Sequence, residues 1–272
     1  MKYDLTAGTD MYLSDLLLEK LSFLGSRKIN ALITDRQVKI NGVRTGSDCL
    51  LAEGAAVEVY TNAKAPSVNV IYSDENVVIA DKPAHTDTMS LPALLAEEYG
   101  ELYPVHRLDV NTTGIVALAR NAGAKAEFER EFRAHTVRKK YIATVVGAPS
   151  RPCGIMKHWL VKDGERGLVK AYNKPVRGGL ESVAAYELLS RDGELSKIAL
   201  YPSTGRTHQL RVQLAATGIP ILGDSKYGNF AANKKYGVNE QRLRAVSLTF
   251  TAAAGVLKSL CGKEFSVTDE EA

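Results

Sequence analysis

Three short segments of this sequence combine charged and polar residues in otherwise apolar surroundings. They are residues 106–114 (HRLDVNTTG), 139–141 (KKY) and 204–211 (TGRTHQLR). We expect the first two to precede strands and the third to open a helix, and sites are commonly assembled at such positions from distant parts of a chain. The three segments therefore predict one site built from separate elements.

Asp109 is the candidate for a catalytic carboxylate. A single aspartate between a leucine and a valine is more often a turn or cap residue, but its neighbours are too polar for a plain turn that leads into the apolar run 114–119. A carboxylate that stays ionised in a partly desolvated pocket needs a fixed cation, and arginine suits because it stays protonated and binds carboxylates with two N–H groups. Arg206 and Arg211 are the candidate partners, with phosphate contact or a helix surface as the alternative for both.

The elements that must position these residues predict a mixed, mainly antiparallel α+β domain. Apolar runs broken by glycine and proline predict strands over 77–80, 114–119, 141–146, 183–189, 197–201 and 243–250. Helical patterns cover 91–99, 122–135 and 207–217, the last ending at Gly218. Because strands outnumber helices without regular βαβ alternation, the fold class is α+β.

A small N-terminal α/β unit precedes this domain. Leucines recur at helical spacing up to Gly25, and a second helix is predicted over 27–34 with Ser26 as its N-cap. Strand-like runs follow at 38–42 and 53–60.

The small residues of 63–69 (AKAPSVN) predict a linker. The expected domains are therefore 1–62 and 70–272.

Composition excludes several classes of protein. The chain has 272 residues, of which 45% are hydrophobic and 24% charged, as in ordinary globular proteins. The three cysteines lie about a hundred residues apart without zinc-ligand spacing, so we expect no structural metal and no disulfide framework. No apolar run is long enough to cross a bilayer and the N-terminus lacks a signal-peptide pattern, so we expect a cytoplasmic protein with no membrane partner.

The modest net charge of +4 hides an uneven distribution. Residues 120–177 hold fourteen Lys and Arg against five Asp and Glu, and residues 206–244 hold seven against two, whereas residues 63–119 hold three against eight. A third basic stretch in the N-terminal unit supplies the candidate RNA-binding residues Arg27, Lys28, Arg36, Lys39 and Arg44. Such runs are often only solvated surface, but three of them favour a partner with a phosphate backbone.

The polar segments resemble the motifs of the RluA-type pseudouridine synthases. HRLDVNTTG is similar to the family's catalytic segment HRLDxxTSG, with Thr113 at the usual serine, and residues 203–228 match a second long motif. Residues 72–84 resemble the opening motif, a strand ending in Lys-Pro, although His85 replaces the usual glycine. The match spans roughly residues 68–250, and several long motifs in the right order are a specific signal.

The N-terminal unit resembles the S-four RNA-binding domain, which is named after the fourth protein of the small ribosomal subunit. The similarity is carried by residues 26–30 (SRKIN) at the second helix and by residues 38–42 (VKING) at the turn. The first helix lacks the usual Arg-Leu-Asp opening and has Tyr-Leu-Ser at residues 12–14.

The resemblance implies that uridine in RNA is isomerised to pseudouridine, without a cofactor or metal. Asp109 would be the catalytic carboxylate, acting as a nucleophile or as a base on the ribose. Tyr141 would stack on the target base, Arg211 would pair with Asp109, and Leu210 would help to wall the pocket.

Further residues would contact the RNA. A target base stacked in folded RNA must be extruded, and Arg107 resembles the residue that fills the vacated position. Arg206, His208 and Thr112 are further candidates for substrate binding. His106 and His208 are expected to be structural or RNA-contacting rather than acid–base groups, because this chemistry needs only one committed carboxylate.

Two other interpretations stay open. A base-excising glycosidase or a nuclease would more often show a second acidic partner, and no paired carboxylate stands out in the sequence. A non-catalytic RNA-binding or ribosome-assembly factor is the other alternative. By analogy alone, a separate RNA-binding domain favours large-subunit ribosomal RNA over tRNA as the partner, and we expect a monomer.

Overall fold

The N-terminal part of the chain folds around its own apolar cluster in a computed structural model that describes residues 1–164 and 167–269. Its elements are β1 (Lys2–Thr6), β2 (Met11–Tyr12), α1 (Leu13–Lys20), α2 (Gly25–Thr34), β3 (Val38–Ile40), β4 (Val43–Thr45), β5 (Leu50–Leu51) and β6 (Ala56–Tyr60). Four of the strands form an antiparallel sheet in the order β1-β6-β3-β4. The apolar faces of both helices pack with Val57 and Val59 of β6.

The predicted N-cap of the second helix was wrong. Helix α2 begins at Gly25, its N-cap is Leu24, and no side chain caps it. Gly25 has a φ of +70°, which glycine adopts without strain. The chain turns there directly out of a 3₁₀ turn at Ser22–Leu24, so Ser26 falls inside the first helical turn.

The remainder of the chain builds one large sheet with helices packed on it. Its elements are β7 (Asn69–Ser73), β8 (Val77–Lys82), α3 (Leu91–Tyr99), β9 (Tyr103–Pro104), β10 (Thr113–Ala119), α4 (Ala122–Arg133), β11 (Val137–Val146), β12 (Cys153–Asp163), β13 (Leu168–Tyr172), β14 (Leu180–Asp192), β15 (Leu195–Pro202), α5 (Gln209–Ala216), α6 (Phe230–Tyr236), β16 (Leu243–Phe250) and β17 (Glu264–Ser266). The main strand order is β13-β12-β14-β15-β11-β16-β10-β8-β7. Among the described strands only β10 and β16 pair in parallel, which confirms the mainly antiparallel α+β class.

Strand β11 is longer than predicted. It starts at Val137, so Lys139 and Lys140 lie within the strand and do not precede it. The reason is that β16 continues alongside, pairing Lys139 with Leu248 and Lys140 with Ser247. The segment KKY therefore occupies the interior of the sheet rather than its end.

Strands β12 and β13 were missed by the hydrophobic pattern. Every second side chain between Met156 and Leu160 is buried, but the middle one of these is His158. A buried histidine among lysines conceals the alternation that marks a strand.

Helix α5 begins two residues later than predicted. His208 adopts a left-handed conformation with a φ of +53°, which keeps it outside the helix. Gly218, with a φ of +80°, lies just beyond the end of the helix, as its position in the sequence indicated.

Two apolar clusters support the sheet and meet at one residue. One surrounds β8 and β10 together with α3 and α4, and the other joins β11, β14 and β15 to α5. Tyr141 of β11 packs against both clusters. The junction of the two clusters is therefore where the three polar segments converge.

The first strand of this domain, β7, begins at Asn69, which is the last residue of the predicted linker. Asn69 pairs there with Asp81 of β8. Among the described helices, none has the length and apolar character needed to span a membrane.

Candidate active site

A cleft of about 340 Å³ opens where the three polar segments meet. Its walls come from the segment before β10, from β11, and from the turn that leads into α5. Each of the three segments singled out in the sequence contributes lining residues. The structure thus assembles them into one site.

The centre of the cleft is an ion pair between Asp109 and Arg211. Nη1 of Arg211 donates a hydrogen bond of 2.9 Å to Oδ2 of Asp109. The Arg211 side chain is 5% exposed and that of Asp109 is 20% exposed, so the carboxylate faces the cleft while the guanidinium lies beneath it. The geometry fixes the direction of the Asp109 carboxylate.

Arg211 has a second carboxylate partner, Asp224, which sequence reasoning missed. Nε and Nη2 of Arg211 donate to Oδ2 and Oδ1 of Asp224 at 2.7 and 3.0 Å. The backbone N–H groups of Lys226 and Tyr227 also donate to Oδ1. Burial acts to raise the pKa of Asp224, but the hydrogen bonds and charge of Arg211 outweigh it and hold that pKa below its usual value.

Asp224 could have been noticed in the sequence, because it is the one acidic residue between positions 206 and 239. It is 1% exposed and both of its oxygens are engaged. Although two carboxylates share Arg211, only Asp109 is open to a substrate. A glycosidase that uses one carboxylate as general acid and another as general base needs both to be free to reach the substrate. Asp109 and Asp224 do not meet this requirement.

Tyr141 forms one wall of the cleft. Burial, together with the charge of Asp109, raises the pKa of its hydroxyl well above the usual value. The hydroxyl therefore stays protonated at neutral pH. The tyrosine offers an aromatic face and a hydrogen-bond donor, but no base.

Gln209 holds the turn that carries Arg206. Its Oε1 accepts from the Thr204 hydroxyl at 2.8 Å and from the Arg206 backbone N–H at 3.0 Å, and its Nε2 donates to the Val183 carbonyl. The Arg206 side chain is exposed at the rim of the cleft. The turn held by Gln209 thus presents an exposed cation, whose Nε donates to the Glu181 carbonyl at 3.4 Å.

His208 and Leu210 flank Arg211. Nδ1 of His208 lies 2.9 Å from the Tyr227 hydroxyl, and burial lowers the pKa of the imidazole. The Tyr227 ring also packs 5.3 Å from the Arg211 guanidinium carbon. Both His208 and Leu210 line the cleft, and their contact with a substrate stays a prediction.

The segment that carries Asp109 is tied down on both sides. The buried Thr112 hydroxyl accepts from Gln241 Nε2 at 2.8 Å. The fully buried Lys82 ammonium donates to the carbonyls of Pro83, Thr86 and Val110. Thr112 lines the cleft but its hydroxyl is engaged by Gln241, so its direct contact with substrate stays a prediction.

Gly114 and His106 complete this support. Gly114 has a φ of +110°, and a Cβ there would lie 2.1 Å from the Ala245 carbonyl oxygen, so only glycine fits. Nε2 of His106 accepts from the Ala117 N–H, and burial followed by the charge of Lys139 lowers the pKa of His106 to about 3. His106 is therefore a neutral structural residue near neutral pH.

Cations surround the single open carboxylate. Arg107 and Arg206 are exposed at the rim, and Lys139 is half-buried within the cleft. Such a distribution of charge favours an anionic substrate. Within residues 1–164 and 167–269, no cluster of three or more His, Cys, Asp or Glu side chains has the geometry to hold a metal ion.

The candidate RNA-binding residues of the N-terminal unit fall into two groups. Lys39 and Arg44 lie over the Tyr60 ring, with their charged groups 5.3 and 5.4 Å from its centre. The Arg36 carbonyl accepts a hydrogen bond from Arg44, which brings Arg36 to the same surface. Arg27 and Lys28 are exposed on the first turn of α2.

A carboxylate held by a buried arginine, beside an aromatic wall and a cationic rim, suits an anionic substrate that carries an aromatic ring. Comparison with known proteins identifies the class. The family described as RNA pseudouridylate synthase matches residues 69–216. The chain belongs to this family, and it is of the RluA type.

Individual relatives agree with this assignment. The dual-specificity RNA pseudouridine synthase RluA of Escherichia coli (strain K12) is 30% identical over 190 residues, which are 64% of this chain and 83% of the relative. An uncharacterised RNA pseudouridine synthase of Mycobacterium bovis is 31% identical over 268 residues, covering 88% of this chain and 86% of the relative.

A solved structure shares the fold. Human RNA pseudouridylate synthase domain containing 1 superposes with a TM-score of 0.65 at 22% identity, over 77% of this chain and 86% of that one. The protein is an RNA pseudouridine synthase, an isomerase whose substrate is RNA.

Proposed function

We propose that this enzyme converts a uridine in structured RNA to pseudouridine with Asp109 as its catalytic carboxylate. The observation that carries the proposal is the chain of contacts from Asp109 to Arg211 to Asp224 at the base of the cleft. Because Asp224 already neutralises Arg211, Asp109 presents its negative charge to the substrate while its orientation is fixed.

The geometry suits either role of Asp109. Oδ2 is bound by Arg211, and Oδ1 makes no hydrogen bond to any residue in the described ranges. A carboxylate oxygen that is free of partners is available to attack C1′ or to act as a base on the ribose. Tyr141 would stack on the extruded base, and RNA bound over the cleft would keep water from the reacting sugar.

Binding of the RNA is proposed to involve two regions. Arg107 and Arg206 would contact the nucleotides around the extruded base, with Arg107 filling the vacated position. Residues 1–62 would form an S-four-like RNA-binding domain, through the surface of Arg36, Lys39 and Arg44 and through Arg27 and Lys28 on α2. Arg27, Lys28, Arg36 and Arg44 are exposed, which suits contacts with backbone phosphates, whereas Lys39 is half-buried and lies 3.7 Å from Glu58 Oε2.

The proposed target is large-subunit ribosomal RNA, modified by a monomer. An added RNA-binding domain supports a large folded substrate over a short stem-loop. The same reaction on tRNA is the alternative to be tested.

The proposal is tested by mapping pseudouridine in two unmodified transcripts, one of large-subunit ribosomal RNA and one of tRNA. Carbodiimide marks pseudouridine, and primer extension then stops at the modified position. We expect a stop in ribosomal RNA that requires the wild-type protein and is absent with Asp109→Asn. Stops in tRNA alone would overturn the proposed target, and equal stops with Asp109→Asn would overturn the role of Asp109.

A further inference from the structure

Lys139 lies inside the cleft and takes part in none of the hydrogen bonds and ion pairs described above. Both Lys139 and Tyr141 of β11 line the cleft, on either side of the point where the pairing of β11 with β16 shifts register. Lys140, between them, does not line the cleft. The ammonium of Lys139 therefore enters the cleft beside the aromatic wall.

The Lys139 ammonium has no ionic or hydrogen-bonding partner among the residues that the structure describes. Arg211, by contrast, is bound by two carboxylates. Nζ of Lys139 lies against the backbone of the turn before α5, 3.7 Å from where a Cβ of Gly205 would be. Burial lowers the pKa of this lysine from its usual value. A half-buried cation without a partner is unfavourable, so its position indicates a group that arrives with the substrate.

The depth of Lys139 separates it from the other cations of the cleft. Arg107 and Arg206 are exposed at the rim, where phosphates of the RNA backbone stay in contact with water. Lys139 is half-buried, like Tyr141 beside it. What reaches that depth is the extruded nucleoside.

We propose that Lys139 is a catalytic residue that stabilises the negative charge developing on uracil as the glycosidic bond breaks. The inference rests on the proposed function. The C1′–N1 bond breaks with its electron pair moving to N1, and the charge spreads to O2 and O4 of the ring. On the sugar, Asp109 either forms an ester bond to C1′ that breaks when C5 attacks, or takes a proton from the ribose and returns it at that step. After the base has turned, a pair from C5 forms the C5–C1′ bond, the C5 proton passes to solvent, and N1 takes a proton from solvent. Atoms and electrons balance without an oxidant or reductant.

A fixed cation at this place acts mainly on the transition state. The uracil of the bound substrate is neutral, whereas the departing uracil is anionic, so the attraction grows as the bond breaks. Removing one such group in an enclosed site slows catalysis by about 10²- to 10³-fold. Binding of the RNA, which depends on the rim and on the N-terminal surface, changes little.

The test compares Lys139→Met, Lys139→Arg and the matched control Lys140→Met in single-turnover reactions. The substrate is the unmodified transcript in which mapping has located the target, made either with uridine or with 5-fluorouridine. Fluorine stabilises the uracil anion, so the fluorinated base needs less help to leave. The measured quantities are the rate at which the target nucleoside disappears, the Kd for the transcript, and the Tm of each variant.

We expect Lys139→Met to lower the single-turnover rate with uridine by about 100-fold. With 5-fluorouridine the rate should fall much less. The Kd and the Tm should not change. Lys139→Arg should recover much of the rate, and Lys140→Met should stay within about twofold of wild type.

Three outcomes overturn the inference. Equal losses with uridine and 5-fluorouridine would show that leaving-group charge is not what Lys139 stabilises. A raised Kd with an unchanged rate at saturation would make Lys139 a phosphate contact. A lowered Tm with no recovery by arginine would make it structural. If wild-type protein forms no pseudouridine, the proposed function fails first, and that result is distinct from all three.

Discussion

The cleft and the N-terminal unit use their cations in opposite ways. Arg211 in the cleft is 5% exposed and is bound by Asp109 and Asp224. Arg36 and Arg44 of the N-terminal unit are exposed, and Arg44 is oriented chiefly by the Tyr60 ring and by the Arg36 carbonyl. A buried charge with fixed partners orients a reacting group, whereas exposed charges attract a polyanion and are screened by salt. Removing charge from the cleft should therefore lower the reaction rate, whereas removing charge from the N-terminal unit should weaken RNA binding.

The largest effect is expected from Asp109→Asn. Asparagine keeps the size of the side chain but has neither the charge nor the nucleophilicity of a carboxylate, so pseudouridine formation should fall by at least about 10⁴-fold. The Kd for RNA should stay within a few fold of wild type. The rate is measured by carbodiimide marking and the Kd by filter binding. Residual turnover near the wild-type rate would contradict the assignment.

Asp224→Asn should reduce turnover by about 100-fold without changing RNA affinity. The neutral amide leaves Arg211 with one charged partner, so the guanidinium shifts towards Asp109 and weakens its reactivity. The single-turnover rate at saturating RNA measures this, with circular dichroism to show that the variant is folded. A variant that folds, binds and reacts as wild type would remove Asp224 from the account.

The triple variant Arg36→Ala, Lys39→Ala and Arg44→Ala should weaken RNA binding and flatten its salt dependence. Each lost phosphate contact lowers the slope of log K against log salt by about 0.7 to 0.9, so the slope should fall by about 2. The rate at saturating RNA should not change. An unchanged slope would mean that this surface does not touch RNA.

The smallest effect is expected from Tyr141→Phe. Phenylalanine keeps the aromatic face, and the hydroxyl of Tyr141 has a raised pKa and stays protonated. The rate should remain within about threefold of wild type, since general acid–base groups contribute about 10²-fold or more. A loss of that larger size would assign the hydroxyl a proton-transfer role. Tyr141→Ala, which removes the ring, is the matched variant for stacking.

Local sequence patterns predicted the elements in which buried and exposed positions follow residue type. Strand β16 and helix α3 have the predicted bounds, because nearly every residue of β16 is buried and α3 is framed by Pro92 and Gly100. Strand β12 was missed because His158 occupies a buried position. The length of β11 depends on pairing with β16, which no local pattern contains.

The site also has one contact that the sequence predicted and others that it did not. The pairing of Asp109 with Arg211 was predicted from the charges that a buried carboxylate needs and from the family motif, and the structure confirms the contact. The sequence did not indicate that Asp224 binds the other side of Arg211 or that Lys82 holds the Val110 carbonyl. The first contact joins residues 13 apart and the second residues 28 apart, and neither lies within one helix or strand whose pattern would pair them.

The most direct test of the contrast between the two regions measures one RNA against two variants. Asp109→Asn and the triple N-terminal variant are each assayed for Kd and for the single-turnover rate at saturating RNA. The account predicts a crossed result, in which Asp109→Asn binds but does not react and the triple variant reacts fully but binds weakly with a flatter salt dependence. If both variants lose rate and affinity together, the separation of catalysis from RNA attraction is wrong.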